Sequence, residues 1–143
     1  MSASLQVLSM IDALNRGDID AAIAYFDDAA ENHGRRVGPE GMRAVFEAQR
    51  IAFDDWHHEV VQTLVDGTTV ATRSILSGVH RGTLPEPMVS LLFNGALRGI
   101  VPTQRTVRIQ AIHIWEVGSD GLIHAHWANR DDLGMRAQLS SGT

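Results

Sequence analysis

Leu5, Leu8, Ile11 and Leu14 recur at helical spacing, with Val7 beside them, and predict a first helix. Asn15-Arg16-Gly17-Asp18 ends it, because Gly17 suits a left-handed cap and Asp18 suits the N-cap of the next helix. A short alanine-rich helix is predicted from roughly Ile19 to Phe26, followed by a loop from Asp27 to Gly38 that holds His33 and Arg35-Arg36. Gly38-Pro39-Glu40-Gly41 opens a third helix, with Pro39 near its first position and Met42, Val45, Phe46, Gln49 and Phe53 as its buried stripe. After Trp56 the period changes from helix to strand. HHEVVQTLV runs to Asp66-Gly67, a hairpin signal, and Thr68 to Val79 follows as a long strand rich in Thr, Val and Ile. The segment GTLPEPMVSLLFNGALRGIVPT breaks the pattern; Met88, Leu91 and Leu92 predict a short helix within an insertion near 86–99 that covers one edge of the sheet. Thr106 to Val117 is another long strand, Gly118-Ser119-Asp120-Gly121 its turn, and Leu122 to Ala128 the return.

Helices followed by an antiparallel sheet of long strands predict an α+β fold. A strongly curved sheet wrapped around the N-terminal helices makes a cone, with a cavity where small molecules bind. The chain has 143 residues, which suits a single domain over 1–143 with a real core. A net charge of −5 without a lysine-arginine run argues against nucleic acid and against an anionic membrane as partners. Cysteine is absent, so neither disulfides nor thiolate chemistry contributes. MSASLQVLSM lacks the features of a signal peptide and no apolar run approaches the roughly 20 residues of a membrane span, so a cytoplasmic protein is expected.

Alternation along VRIQAIHIWEV sends Val107, Ile109, Ala111, His113 and Trp115 to one face, apolar except for His113, like a cavity wall with one polar group. On the returning strand Ile123, Ala125, Trp127, Asn129 and Asp131 share one face, and His124, His126 and Ala128 the other. Register decides which face joins His113, since a slip of one residue swaps every side chain. A three-residue loop sets His113 with Trp127, Asn129 and Asp131; a four-residue loop sets it with His124 and His126. The first collects apolar residues on one wall and is the expected register. His124 and His126 then face solvent or a subunit interface, and His57-His58 lies on a solvated edge. His33 sits on a loop able to reach the mouth of the cone as a substrate contact. Arg73 is either a rim ion pair or a cavity group, and His80 orients the loop before the insertion. Trp56, Trp115 and Trp127 are core, cavity wall or aromatic platform, and the Met88–Leu92 stripe is packing or a mobile lid. His124-x-His126 puts two imidazoles on one face, but no third zinc ligand, His-Glu-x-x-His motif or cysteine set accompanies it, so no metal is expected. No phosphate-binding glycine loop and no nucleophile elbow is present, and no nucleotide cofactor is expected.

The element order resembles the cone shared by nuclear transport factor 2, ketosteroid isomerase and limonene epoxide hydrolase. Particular words resemble the SnoaL-like polyketide cyclases: Gly38-Pro39-Glu40-Gly41, Ala52-Phe53-Asp54-Asp55, Gly78-Val79-His80-Arg81-Gly82, Pro102-Thr103-Gln104-Arg105, and Asp120-Gly121-Leu122-Ile123 with His126-Trp127, Asp131, Leu133-Gly134 and Gln138-Leu139. The likeness runs from about Gly38 to Leu139. It departs at Pro39, at Gln104 and at Ala125, which stands where a glutamate is usual. The resemblance implies a cofactor-independent cyclase of antibiotic biosynthesis, acting by aldol-type acid/base chemistry on a small, hydrophobic, carbonyl-rich substrate. It implies an aspartate as acid/base, and the matching position is Asp131, with Asp132 beside it. His113 would assist, Trp115 and Trp127 would line the slot, and Asn129, His33, Arg73 and His80 would contact substrate. Asp131-Asp132 also reads as a capped, solvated turn. Two rival functions stay open. The same cavity could serve a hydroxylase, an isomerase or an epoxide hydrolase, the last needing Arg73 beside a carboxylate. A non-catalytic ligand-binding or interaction module would leave Asp131 in solvent. The convex face of the sheet predicts a homodimer or higher homo-oligomer.

Overall fold

The computed structural model describes residues 2–140. Three N-terminal helices, α1 (Ala3–Asn15), α2 (Ile19–Ile23) and α3 (Gly38–Ala52), surround a hairpin of β1 (Phe26–Asn32) and β2 (Arg35–Arg36). Then come β3 (Phe53–Asp66), β4 (Thr69–His80), α4 (Met88–Leu91) with a 3-10 turn over Leu92–Gly95, β5 (Thr106–Val117), β6 (Ile123–Arg130) and α5 (Asp132–Ser140). The strands form one curved six-stranded sheet in the order β2-β1-β6-β5-β4-β3. The α+β cone is as expected, with one pair, β1 and β6, running parallel.

Asp18 caps α2 as expected, and Ser2 caps α1. Ser2 Oγ accepts Leu5 N–H, and Asp18 Oδ1 accepts Ala21 N–H at 3.0 Å. Strand β1 and helix α5 are additions to the expected elements. β1 is polar and alternates weakly (Phe26 and Ala30 inward), so it reads as loop by pattern alone. α5 extends the sheet's bonding where β6 stops. Gln138 gives its Nε2–H to Arg108 O (2.9 Å) and takes Arg108 N–H on Oε1 (2.8 Å), replacing a strand neighbour with one side-chain amide. Asn15 does the same for His58 on β3, with both bonds at 2.9 Å.

The interior is divided. One apolar cluster lies under α1, α2 and α3 and includes Met10, Phe26, Phe46, Val70, Trp115 and Ile123. The other holds Phe53, Trp56, Leu76, Leu84, Ile109, Met135 and Leu139, together with Leu92, Phe93 and Leu97 of the insertion. The insertion therefore packs into the core rather than along a sheet edge. Arg136 Nη1 holds it by the carbonyls of Ala96 (3.0 Å) and Arg98 (2.9 Å), and Asn94 Nδ2 by Asp132 Oδ2 (2.6 Å).

The chain crosses itself closely at Gly82, whose N–H reaches Ala52 O at 3.2 Å. A methyl group there would sit 1.7 Å from the Ile51 carbonyl oxygen, which belongs to backbone and cannot turn aside. Gly82→Ala is expected to cost about 3 kcal/mol or more by overpacking, read as a lower urea midpoint with unchanged slope.

Candidate functional site

Between the two apolar clusters runs a layer of buried polar side chains on the concave face of the sheet. β4 contributes Thr72 and Ser74, both fully buried, β5 contributes His113, β6 contributes His126, and β3 contributes His58. Pairing sets them side by side: Thr72 is opposite His113, His113 opposite Ala128, and Trp115 opposite His126. The imidazoles form a chain, with centroids 6.0 Å apart from His58 to His113 and 5.4 Å from His113 to His126. His33 stands at its outer end, 6.2 Å from His126. Trp115 packs on His126 at 4.2 Å and gives its indole N–H to Thr72 Oγ1 at 3.1 Å.

Among the described residues, five buried polar atoms have no hydrogen-bond partner: Trp56 Nε1, His58 Nε2, Ser74 Oγ, His113 Nδ1 and His126 Nε2. Buried polar groups are nearly always bonded, and each exception costs roughly 1–3 kcal/mol. Scattered exceptions would be unremarkable, but these belong to side chains of one polar layer and one neighbouring indole. The unpartnered groups are thus concentrated in one region of the interior.

Burial drives the electrostatics. It lowers His126 to about 3, helped by His33, Arg130 and His58, and lowers His58 to about 4, helped by His57, Arg50 and Arg130. His113 is pushed well below 6.5 by burial, then by His126, His58, Arg130 and His33. At neutral pH each of these rings is therefore uncharged, with one N–H and one lone pair. Arg130 closes the layer towards the insertion. Its guanidinium carbon lies 5.2 Å from the Phe93 ring centroid, and its Nε gives a bond to Asp132 Oδ1 at 3.2 Å.

His113 and Trp115 face inward as the alternation implied. The register is the other one. β6 carries a bulge between its pairings Glu116–Ala125 and Val117–Ile123, which leaves His124 as the extra residue. Beyond it, His126, Ala128 and Arg130 point inward, and Trp127, Asn129 and Asp131 point outward. Trp127 is 40% exposed, and Asn129 and Asp131 are exposed. Asp131 accepts Gly134 N–H at 2.8 Å and so caps α5; a methyl on Gly134 would lie 2.1 Å from Asp131 Oδ2. The structure thus corrects the expectation that Asp131 shares the hollow with His113. Arg73 is also outside, exposed and bonded to Gln62 Oε1 at 3.2 Å, and the arginine-carboxylate set of an epoxide hydrolase is not brought together.

His80 is buried away from the polar layer, against Phe53, and accepts Thr103 N–H on Nδ1 at 3.2 Å; it orients the loop after the insertion. His33 is exposed and takes Ala128 N–H on Nε2 at 3.3 Å, which puts it at the rim. The expectation missed His58, His126, Trp56 and Arg130. The spacing Trp56-x-His58-x-Val60 could have found His58, being a strand alternation with one polar member. Outside the polar layer, His124 bonds Asp120 at 3.1 Å, with Asp27 3.9 Å away, a partly exposed group at the β5–β6 turn.

Comparison with known proteins agrees with this architecture. IdmH from Streptomyces antibioticus, provisionally assigned as a polyketide cyclase, is 25% identical, with 99% of this chain and 100% of that one covered and a TM-score of 0.77. A SnoaL-like polyketide cyclase from Agrobacterium tumefaciens is 20% identical over 98% of this chain and 99% of its own, with a TM-score of 0.76. AclR from Streptomyces galilaeus, provisionally assigned as a hydroxylase, is 22% identical over 96% and 80% of the two chains, also with a TM-score of 0.76. No curated protein matches the chain in sequence. The family model for SnoaL-like polyketide cyclase matches residues 5–139, nearly the whole chain. The chain belongs to the SnoaL-like polyketide cyclase family.

Proposed function

We propose that the polar layer is an acid/base site that removes a proton from carbon beside a carbonyl in a small hydrophobic substrate, without a cofactor, as a step in ring closure. Family membership supports a cyclase or isomerase role. The carrying observation is the set of unpartnered buried polar atoms gathered in one layer and its neighbouring indole. The exposure of Asp131 is what a non-catalytic module would also show; what favours catalysis is that three of the unpartnered side chains are imidazoles uncharged at neutral pH, each able to give or take a proton.

Histidine takes the part that the family likeness suggested for Asp131. His126 Nε2 is the proton acceptor, with His113 beside it. The indole N–H of Trp56 can only donate and supplies an oxyanion contact. A resting imidazole held near 3 is a weak base. It gains strength as the enolate forms, since an anion beside a buried imidazolium raises its pKa. Proton transfer and enolate stabilisation are thereby coupled. The test is exchange of the α-protons of β-tetralone into deuterated water, followed by NMR. The protein should accelerate exchange, and Trp56→Phe should reduce the acceleration by roughly 10²–10³-fold. Absence of acceleration by the folded protein would remove the acid/base reading.

The protein is proposed to act as a homodimer through its convex face. Register aligns Leu64, Ala71, Ile114 and Trp127 in a row across β3, β4, β5 and β6, with Ile112 (51% exposed) adjoining. Ile112→Glu should halve the mass measured by light scattering and leave the circular dichroism unchanged; a wild-type monomer would end this proposal. No helix among the described residues is long and apolar enough to cross a membrane.

A further inference from the structure

Asn32 and His126 are direct partners in the parallel β1–β6 pair, and the Asn32 side-chain oxygen lies 2.9 Å from His126 Nδ1. An amide oxygen only accepts, so Nδ1 must carry the proton of the neutral ring. The lone pair then belongs to Nε2, the buried atom without a protein partner. The backbone around Asn32 is built to hold this contact. His33 (φ 52°) and Gly34 (φ 79°) are both left-handed, as a two-residue hairpin turn of the primed type requires. The turn is tied to β6 twice, by His33 N–H to His126 O at 2.9 Å and by Ala128 N–H to His33 Nε2 at 3.3 Å. The backbone that carries Asn32 is thus fixed relative to the ring its amide touches.

We propose that Asn32 is a positioning residue that fixes the tautomer of His126, so that the unpartnered Nε2 is a proton acceptor rather than a donor. The role assigned to Nε2 rests on the acid/base reading above; the tautomer itself does not. The titratable and charged groups around His126 are His33 from the β1–β2 turn, His58 from β3, His113 from β5, and Arg130 from its own strand. None of these is an acceptor-only group, so none can impose the Nδ1–H form as Asn32 does.

The experiment is ring-nitrogen NMR on histidine-labelled protein without substrate, paired with the tetralone exchange assay. Wild type should show His126 wholly as the Nδ1–H form at neutral pH. Asn32→Leu, which keeps the volume but cannot accept, should give a mixed or Nε2–H ring and an exchange rate about 10- to 100-fold lower. Asn32→Asp restores an acceptor. It should keep Nδ1–H and raise the pKa of His126 towards neutrality, because a carboxylate favours the charged ring. That second variant separates positioning from folding, since a merely structural role for Asn32 would leave tautomer and titration unmoved. An Nε2–H ring in the wild type, or a ring unaltered in both variants, overturns the inference. A wild-type Nδ1–H ring in a protein that exchanges no protons would sink the catalytic reading alone.

Discussion

Replacing His126 with glutamine is expected to slow proton exchange from a ketone by about 10²–10⁴-fold, the span that a positioned general base contributes. Glutamine fills a similar space and can still bond Asn32, but it has no lone pair basic enough to take a proton from carbon. Folding should survive, because the layer's burial is shared among four strands and two apolar clusters. His113→Gln should cost less, since His113 contacts His58 on one side and His126 on the other and acts beside the acceptor rather than as the acceptor. The measurement is the pseudo-first-order exchange rate with saturating β-tetralone, checked against the thermal midpoint of each variant. A His126→Gln protein that exchanges at the wild-type rate would transfer the role to another group.

Acidification is expected to destabilise the protein while most carboxylates are still ionised. His58 near 4 and His126 near 3 lie below the ordinary 6.5, and His113 lies well below it. Their folded values are depressed, so below about pH 6.5 the unfolded chain binds protons that the folded chain refuses. Stability is then fully present above that pH and is lost progressively as pH falls towards 3–4, the folded values of His126 and His58. Each such ring costs about 1.4 kcal/mol per pH unit across that window. Two or three rings together approach the roughly 5–15 kcal/mol that a small domain has in total. Urea midpoints measured between pH 7 and pH 4.5 (about the lower end of the usable range) should fall steadily, and His58→Gln with His126→Gln should flatten the slope. A flat profile in the wild type would mean that these rings are not held neutral.

The sheet's long strands were legible because their alternation is strict: Val107 to Trp115 and Val70 to His80 are each inward at every second residue, as observed. The placement of the site failed at one backbone event. The bulge at His124 adds a residue to β6 without adding a recognisable signal, and it exchanges the two faces of everything after it. Counting outward from the Gly118–Gly121 turn therefore put Asp131 inside and His126 outside. Apolar character misled in the same direction, since Trp127 looked like core and is a surface residue. β1 was missed for a different reason. Its sequence, FDDAAEN, lies near the sheet's end and is mostly solvated, so burial imposes little pattern on it. Asn15 and Asn32 were out of reach because each acts on a strand far away in the chain, at separations of 43 and 94 residues.

The amide of Asn15 has a consequence beyond anchoring α1. β3 is the outermost strand on its side, and such a strand offers free N–H and C=O groups to any other extended chain. Asn15 occupies both groups of His58 midway along that border, so a foreign strand cannot zip past this point without first expelling it. One side chain thus interrupts the border at His58, which works against open-ended edge-to-edge pairing of copies.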